Sequence, residues 1–500
     1  MLAPRGAAAL LRRSPTCSCR SAAAAARPFF LASPAASRRT PTARSPTALA
    51  SQVQWRFQST QARSQAEPLV VEGTSYPRDE YTNATPTILS KLPRRLHLQP
   101  SHPIGILRKQ IEAHFSSFAH LNSISPIVTV QQNFDDLGFP PDHPGRALTD
   151  SYYLNKQHML RTHTSAHEVE SFRKGLDQFL LSADVYRRDE IDRSHYPVFH
   201  QMEGCNVVDP AQGGIERLER ENAEMRSALQ RANIVIDDPT GDETATNPYQ
   251  SEHDPRVARI IAEHLKNSLN GLVLRLFGPN ADKQGEPLQV RWIEATFPWT
   301  APSYEVEVLF NGKWLEILGC GVVRQEALAR SGVSHKQGWA FGLGLERIAM
   351  VLFSIPDIRL FWSQDDRFLS QFREGEISTF KPYSKYPECY KDLAFWLPER
   401  AGEEAVGKAW HENDFMEVVR DEAGDLVEGV QLSDPTNENL FSSRLARQID
   451  EFTHPKTKRQ SRCYRFTYRS MDRSLSNEEV NLIQDRLVER VTNEMQVEVR

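Results

Sequence analysis

Hydrophobic and polar positions along this chain follow two periods. Ile104, Leu107, Ile111 and Phe115 recur at helical spacing and predict a helix over 104–118. Residues 176–181 and 198–203 alternate in the strand period. The stretch 185–204, VYRRDEIDRSHYPVFHQMEG, reads as two short strands joined by a polar loop. A helix is predicted over 257–269, then strands over 290–295, 304–310 and 314–318, with Asn311-Gly312 as a hairpin turn. A strand over 339–343 runs into a helix over 345–353, which Pro356 closes.

Residues 210–256 break the pattern. A charged helical run with sparse apolar points (Ile215, Leu218, Leu229) precedes a polar tract, and the whole reads as a surface insertion. Residues 381–500 predict a second, smaller domain. It has strands over 392–397, 426–432, 463–468 and 496–499 and a helix over 414–420 stopped at Gly424. A second helix, running to about residue 491, opens on a capping box of Ser476 and Glu479. The order β-α-β-β-α-β implies a ferredoxin-like sheet with two helices on one face. The fold class is therefore α+β, with candidate bounds of 101–380 for the larger domain and 59–100 as a linker or extension before it.

Composition adds an asymmetry. Residues 1–66 hold ten arginines and no Asp or Glu. A basic, Ser-rich, acid-poor start is the composition of a mitochondrial transit peptide, here 1–58, ending near Arg56-Phe57-Gln58-Ser59. A disordered basic arm is the bland alternative. Removing its nine arginines takes the formal charge from −5 to about −14, so any nucleic-acid contact must be a local patch. No apolar run approaches the roughly 18 residues of a membrane span, which argues against a membrane partner. Cys205, Cys320, Cys389 and Cys463 form no CxxC pair, which argues against zinc and against a disulfide framework.

Four groups of residues carry chemistry. Phe199, Gln201 and Glu203 share one strand face, and Arg187 and Asp189 share a face of the partner strand. An aromatic plane, an amide, a carboxylate and an arginine suit a ligand with a ring, an ammonium group and phosphates better than they suit a core. GWAFGLGLER, over 338–347, brings a glycine-rich strand to Arg347 on the first turn of a helix. Two arginines can then clamp a polyphosphate. Phe297 and Trp299 are two apart and wall a pocket or fill a core, and Glu316 stands in an otherwise apolar strand where it needs a cationic partner. RTHTSAHE, over 161–168, offers hydroxyls and imidazoles to a small ligand, or a helix cap. In the second domain, Lys456, Lys458, Arg459, Arg462, Arg465, Arg469 and Arg473 accompany Tyr464, Phe466 and Tyr468. Either the arginines meet phosphates and the aromatics meet bases, or the aromatics face inward and the arginines are solvated.

Together with NFDDLGFPPDHPGR (133–146), FPW, WLEILGCG and GWAFGLGLERIAMVLFSIPDIRLFW, these segments resemble the phenylalanyl-tRNA synthetases, class II aminoacyl-tRNA synthetases, in their single-chain mitochondrial form. The resemblance covers about 100–209 and 257–500. It implies a catalytic domain built on an antiparallel sheet flanked by helices, a C-terminal anticodon-binding domain, and a monomer in the mitochondrial matrix. It implies that L-phenylalanine is activated by ATP with Mg²⁺ and passed to the 2′-hydroxyl of the terminal adenosine of tRNA(Phe).

Position by position, the resemblance gives Arg187 the α-phosphate and Arg347 the γ-phosphate, and stacks Phe199 on adenine. Ser194, His195 and Tyr196 fall in the loop that meets ATP and the acceptor end, and Glu316 contacts ATP or its Mg²⁺. Gln201, Met202 and Glu203, with His163, Ser165, Ala166, His167 and Glu168, fall on the phenylalanine site. Phe297 and Trp299 pack on the substrate ring above a floor of Ala340 and Phe341. The family usually has a second Phe where this chain has Trp299, which puts the pocket volume in question. A catalytically inactive tRNA-binding or regulatory relative is the competing reading, and a class II synthetase for another amino acid is a third. The retained Arg187, Phe199, Gln201, Glu203 and Arg347 oppose the inactive relative, and FPW with Ala340 opposes the third reading.

Overall fold

The computed structural model describes residues 67–240, 244–383, 386–398, 410–432 and 451–500. The expected transit peptide and its cysteines lie outside them.

The larger domain is built on one sheet of eight strands. In chain order they are β1 (Ala119–Leu121), β2 (Gln178–Tyr186), β3 (Val198–Val208), β4 (Ile234–Asp237), β5 (Leu288–Phe297), β6 (Thr300–Phe310), β7 (Lys313–Val323) and β8 (Gln337–Gly344). Their order across the sheet is β1-β2-β3-β8-β7-β6-β5-β4. All inner pairs are antiparallel, and the two edge pairs, β1–β2 and β4–β5, are parallel. The predicted turn between β6 and β7 is present: Asn311 (φ 49°) and Gly312 (φ 75°) are both left-handed, as a two-residue hairpin requires.

One face of this sheet is covered by α1 (Pro103–His114), α3 (Pro255–Gln284) and α4 (Leu345–Leu352). The α3 helix is longer than its predicted 257–269 because Leu272, Val273, Leu276 and Phe277 carry the apolar stripe onward. Asp254 caps it by accepting from the Arg256 and Val257 amides. Two indole donors pin the sheet to it: Trp292 Nε1 to Asn270 Oδ1 at 3.1 Å and Trp339 Nε1 to His264 Nδ1 at 3.0 Å.

The insertion does more than decorate the surface. Its helix α2 (Gly214–Gln230) buries Ile215 and Leu218, and the Asn222 side-chain amide donates to the Ile260 carbonyl on α3. After it, β4 extends the sheet. Only four alternating residues encode that strand, too short a run for periodicity to reveal. The expected linker is also partly core, since Ile88, Leu92 and Leu96 are buried with the helices of the larger domain.

The smaller domain has the predicted ferredoxin-like order. Its strands are β9 (Cys389–Trp396), β10 (Val427–Leu432), β12 (Gln460–Tyr468) and β13 (Glu498–Val499), with a short β11 (Glu451–Thr453) on β12. They run β10-β12-β9-β13, all antiparallel, beside α5 (Glu412–Ala423) and α6 (Asn477–Met495). Ser476 caps α6 through the Glu479 amide. Tyr464, Phe466 and Tyr468 are fully buried in this domain's core, and Phe415 of α5 lies 4.5 Å from Tyr464. The reading that aimed these three rings at nucleobases is therefore wrong. Their positions alternate toward the helices because the aromatic half of the strand is its apolar half.

Candidate active site

Strand alternation builds the site on the sheet face opposite the helices. Register pairs Gln201 with Gly344, Glu203 with Gly342 and Cys205 with Ala340, and on the next strand Gly319 with Gly342 and Gly321 with Ala340. The result is a floor of small residues with two polar side chains at one side. A Cβ on Gly342 would meet nothing within 4 Å, so that position is open floor. One on Gly319 would lie 2.7 Å from Phe297, so that ring needs a glycine beneath it. The floor opens into a cavity of about 650 Å³.

Glu203 is fully buried, and its carboxylate accepts from Ser165 Oγ at 2.6 Å and Thr164 Oγ1 at 3.0 Å. Burial pushes its pKa up to about 7 against the pull of those hydroxyls. Gln201 Oε1 accepts from the Thr164 amide at 3.3 Å. A loop is held under these groups by Arg161, whose guanidinium pairs with buried Asp184 at 2.5 Å and donates to the Ser125 carbonyl at 2.8 Å. The far wall is aromatic. His163 stacks on Phe139 (5.6 Å) and on Trp299 (5.9 Å), and Trp299 stacks on Phe297 (6.0 Å). Burial, then the Arg187 charge, hold His163 neutral, with its pKa lowered to about 3.

Arg187 lies just beyond the end of β2 rather than on it, and so does Asp189; both still line the cavity. Arg187 Nε donates to the Thr162 carbonyl at 2.8 Å, and its guanidinium lies 5.2 Å from the Phe199 ring centre. Arg347 is placed by its neighbour. Glu346 accepts from the His200 amide (2.7 Å) and ring Nδ1 (2.6 Å), tying α4 to β3, while Arg347 projects outward and pairs with Glu316 at 3.1 Å. Glu305 also faces the cavity, and burial, Glu316 and Glu307 raise its pKa while Arg347 opposes. Neighbouring carboxylates such as Glu305 and Glu316 fit a divalent cation carried in by a polyphosphate, because oxygen donors with surplus negative charge are what such a cation takes.

Several expected residues lie elsewhere. Met202 points to the helix-covered face and is fully buried there, as the strand period demands of a residue between Gln201 and Glu203. Phe341 borders the cavity, but its ring stacks on Phe115 of the helix layer at 5.4 Å. Ala166 packs in a small cluster with Phe134 and Tyr153. The His167 ring meets the Arg161 guanidinium at 3.0 Å. Glu168 is buried behind Glu203, with Cys205 Sγ 3.8 Å from its carboxylate; burial and the Glu203 charge push its pKa far up. Tyr196 turns away from the cavity to stack on Trp362 (5.3 Å) and donate to Asp425 of the smaller domain at 2.7 Å. Ser194 and His195 stay on the exposed loop, where Asp192 accepts from the His195 ring at 2.8 Å and raises its pKa.

The smaller domain meets this loop at further points. Arg188 pairs with Asp414 at 2.8 Å, Tyr152 donates to Glu417 at 2.8 Å, and Asn413 lines the cavity rim. Thr164, Phe139 and Glu305 were missed as individual site residues. Phe139 and Thr164 stand inside the segments 133–146 and 161–168, and Glu305 inside the predicted strand 304–310.

A largely antiparallel sheet covered by helices on one face, with a cavity on the other, is the architecture of a class II synthetase core. The family profile "tRNA synthetases class II core domain (F)" matches residues 89–212 and 257–372, and "Ferredoxin-fold anticodon binding domain" matches 442–500. The gap in the first match is the insertion. The mitochondrial phenylalanine–tRNA ligase of Saccharomyces cerevisiae is 46% identical over 86% of this chain and 94% of its own. That of Mus musculus is 41% identical over 86% and 89%. The alpha subunit of a Psychrobacter arcticus phenylalanine–tRNA ligase is 30% identical over 54% and 63%. Among solved structures, a pyrrolysyl-tRNA synthetase from Desulfitobacterium hafniense covers 57% of this chain and 80% of its own at 12% identity and a TM-score of 0.34, too distant to carry an argument. This chain belongs to the mitochondrial phenylalanine–tRNA ligases.

Proposed function

We propose the following division of labour for this ligase. Gln201, Glu203 and Ser165 hold the phenylalanine ammonium, and Thr164 fixes the Glu203 carboxylate. Phe297, Trp299 and Phe139 surround the benzyl ring above Ala340, beside the neutral His163. Phe199 stacks on adenine. Arg187 holds the α-phosphate and Arg347 the γ-phosphate of ATP, and Glu305 with Glu316 contacts the Mg²⁺ that ATP brings. His195 and Ser194 meet ATP or the acceptor end from the exposed loop.

The chemistry needs little proton transfer. The phenylalanine carboxylate oxygen attacks the α-phosphorus in line, the bond to the bridging oxygen breaks, and pyrophosphate leaves. Arg187 and Arg347 offset charge where it builds, and positioning supplies much of the rest. The 2′-hydroxyl of the terminal adenosine then attacks the carbonyl and AMP leaves. Lys456, Lys458, Arg459, Arg462 and Arg465 contact tRNA phosphates. Arg469 is the weakest member of that set, because it is committed to Glu388 and Glu428. The working enzyme is a monomer of the mitochondrial matrix, processed near residue 58.

The observation that carries this reading is that Arg187 and buried Glu203 line one aromatic-walled cavity. Phenylalanine-dependent ATP–pyrophosphate exchange tests it. Arg187→Ala should lose about 10²- to 10³-fold in rate, the usual loss for one preorganised charge-stabilising donor. Full exchange in that variant would overturn the assignment.

A further inference from the structure

With Tyr464, Phe466 and Tyr468 buried in the smaller domain's core, its outer sheet face presents a different aromatic set. Trp396 ends β9, and the register runs Trp396–Ser461–Phe452 across β9, β12 and β11, which puts both rings on the face away from α5 and α6. The Trp396 ring centre lies 5.9 Å from Phe452 and 6.1 Å from His454. Phe452 is 42% exposed, where a ring that served only packing would be covered.

Cations surround these rings. The Arg500 guanidinium lies 5.1 Å from the Trp396 ring centre and 5.9 Å from that of Phe452, and Arg459 lies 5.4 Å from Trp396. The Arg500 backbone amide donates to the Ala394 carbonyl at 2.8 Å, which fixes where its side chain starts. The tight turn joining β11 to β12, closed by hydrogen bonds from the His454 amide to the Arg459 carbonyl and from the Lys458 amide to the His454 carbonyl, displays Lys456 and Lys458 to solvent. Arg459 pairs with Glu498 at 2.7 Å. Locally concentrated positive charge on a chain of net charge −5 suits a polyanion, and an exposed ring beside a half-buried one, among arginines, suits the flat faces of unpaired bases.

We propose that Trp396 and Phe452 form a stacking platform for an unpaired base of the tRNA anticodon loop, with Arg500, Lys456 and Lys458 on the flanking phosphates. This rests on tRNA(Phe) being the substrate, and it replaces the inward-facing aromatics as the element that meets bases. The platform reads a base face rather than its edge, so it supplies affinity more than sequence choice.

The test uses the full chain and a tRNA(Phe) transcript, with tRNA Kd and phenylalanine-dependent pyrophosphate exchange measured side by side. Phe452→Ala, at an exposed position, should weaken tRNA binding about tenfold. Trp396→Ala should do the same, and Trp396→Phe should stay within about threefold of the parent because it keeps a ring. All three should keep normal exchange. Arg500→Gln should reduce the slope of log Kd against log salt by about one. A transcript whose anticodon loop is replaced by a tight tetraloop should bind the parent and Phe452→Ala alike. Unchanged tRNA affinity in both alanine variants, or a loss of exchange that parallels the loss of binding, would overturn the platform. The catalytic assignments stand or fall separately, on Arg187→Ala.

Discussion

If the buried Glu203 carboxylate holds the phenylalanine ammonium, as proposed, phenylalanine binding should depend on pH, and the size of the effect follows from the surroundings of Glu203. Glu203 faces Thr164 and Ser165 from the loop, Cys205 from its own strand, and Glu168, while His163 nearby is neutral. Burial raises its pKa to about 7, against the hydrogen bonds from Ser165, Thr164 and Cys205, and no cation among the described residues pairs with it. The substrate ammonium needs the ionised form. At pH 6 only about one molecule in ten carries it, so KM for phenylalanine should be about tenfold above its plateau at pH 8 and rise a decade per pH unit below.

Stability runs the other way. The folded pKa lies above the ordinary 4.5, so the unliganded protein loses stability as pH rises from about 4.5 to about 7, by at most about 3 kcal/mol. Bound phenylalanine supplies the missing cation. Its stabilisation of the fold should therefore be larger at pH 8 than at pH 6. Pyrophosphate exchange gives KM, and thermal unfolding with and without phenylalanine gives the second quantity. Glu203→Gln should raise KM about 10- to 100-fold, as expected for a lost charge-assisted hydrogen bond, and flatten its pH dependence. A wild-type KM that is flat between pH 6 and 8, or a slope that survives in Glu203→Gln, refutes the reasoning.

Three other substitutions read the same site. Burial and the Glu203 charge keep Glu168 protonated, so Glu168→Gln replaces one neutral group with another and should change unfolding free energy by less than about 1 kcal/mol; a loss of several would mean that it is ionised. Ala340→Gly deepens the cavity floor, so a para-chlorinated phenylalanine should gain activity in pyrophosphate exchange while phenylalanine loses a few-fold. Gly204→Ala drives a Cβ into the Phe341 ring on the helix-covered face and should cost about 1–3 kcal/mol in urea unfolding, as overpacking typically does, with little change in KM for phenylalanine.

The strands that carry the site were legible because their chemistry and their period agree. Gln201 and Glu203 had to share a face, and the same rule, applied strictly, excludes Met202. Phe341 follows the same rule: Trp339, Phe341 and Leu343 make the helix-covered face of β8, so the Phe341 ring turns to that face while the residue still borders the cavity whose floor is Ala340 and Gly342. Segments whose role depends on distant partners were not legible. Tyr196 stands in a loop, and nothing local reveals Trp362 or Asp425 as its partners. The β4 edge strand and the buried Ile88–Leu96 stretch are short, and tertiary packing rather than local pattern decides them. In the smaller domain, the alternation of Tyr464, Phe466 and Tyr468 was plain, but two faces are available to any strand. Only the position of α5 and α6 decides which is inside.

The two arginines proposed for the phosphate site are not equivalent, and on that assignment their surroundings say how each would act. Arg187 is anchored before any ligand arrives, by the Thr162 carbonyl and by Phe199 beneath its guanidinium. A donor fixed in this way loses little entropy on meeting a phosphate and spends no reorganisation in the transition state. Its closeness to Phe199 also means that adenine must share that ring's surroundings with a cation, which links the base and α-phosphate subsites. Arg347 is exposed, and Glu316 neutralises it from the neighbouring strand. An exposed pair of this kind contributes little to stability, so exchanging the carboxylate for a terminal phosphate costs little. Once released, Glu316 stands beside Glu305 with its charge uncompensated, where the cation carried by ATP is needed. On the proposed assignment, nucleotide entry would break one weak ion pair and set each partner against the opposite charge on one ligand. That arrangement lets the outer end of the site stay loose while Arg187 keeps the reacting phosphate in place.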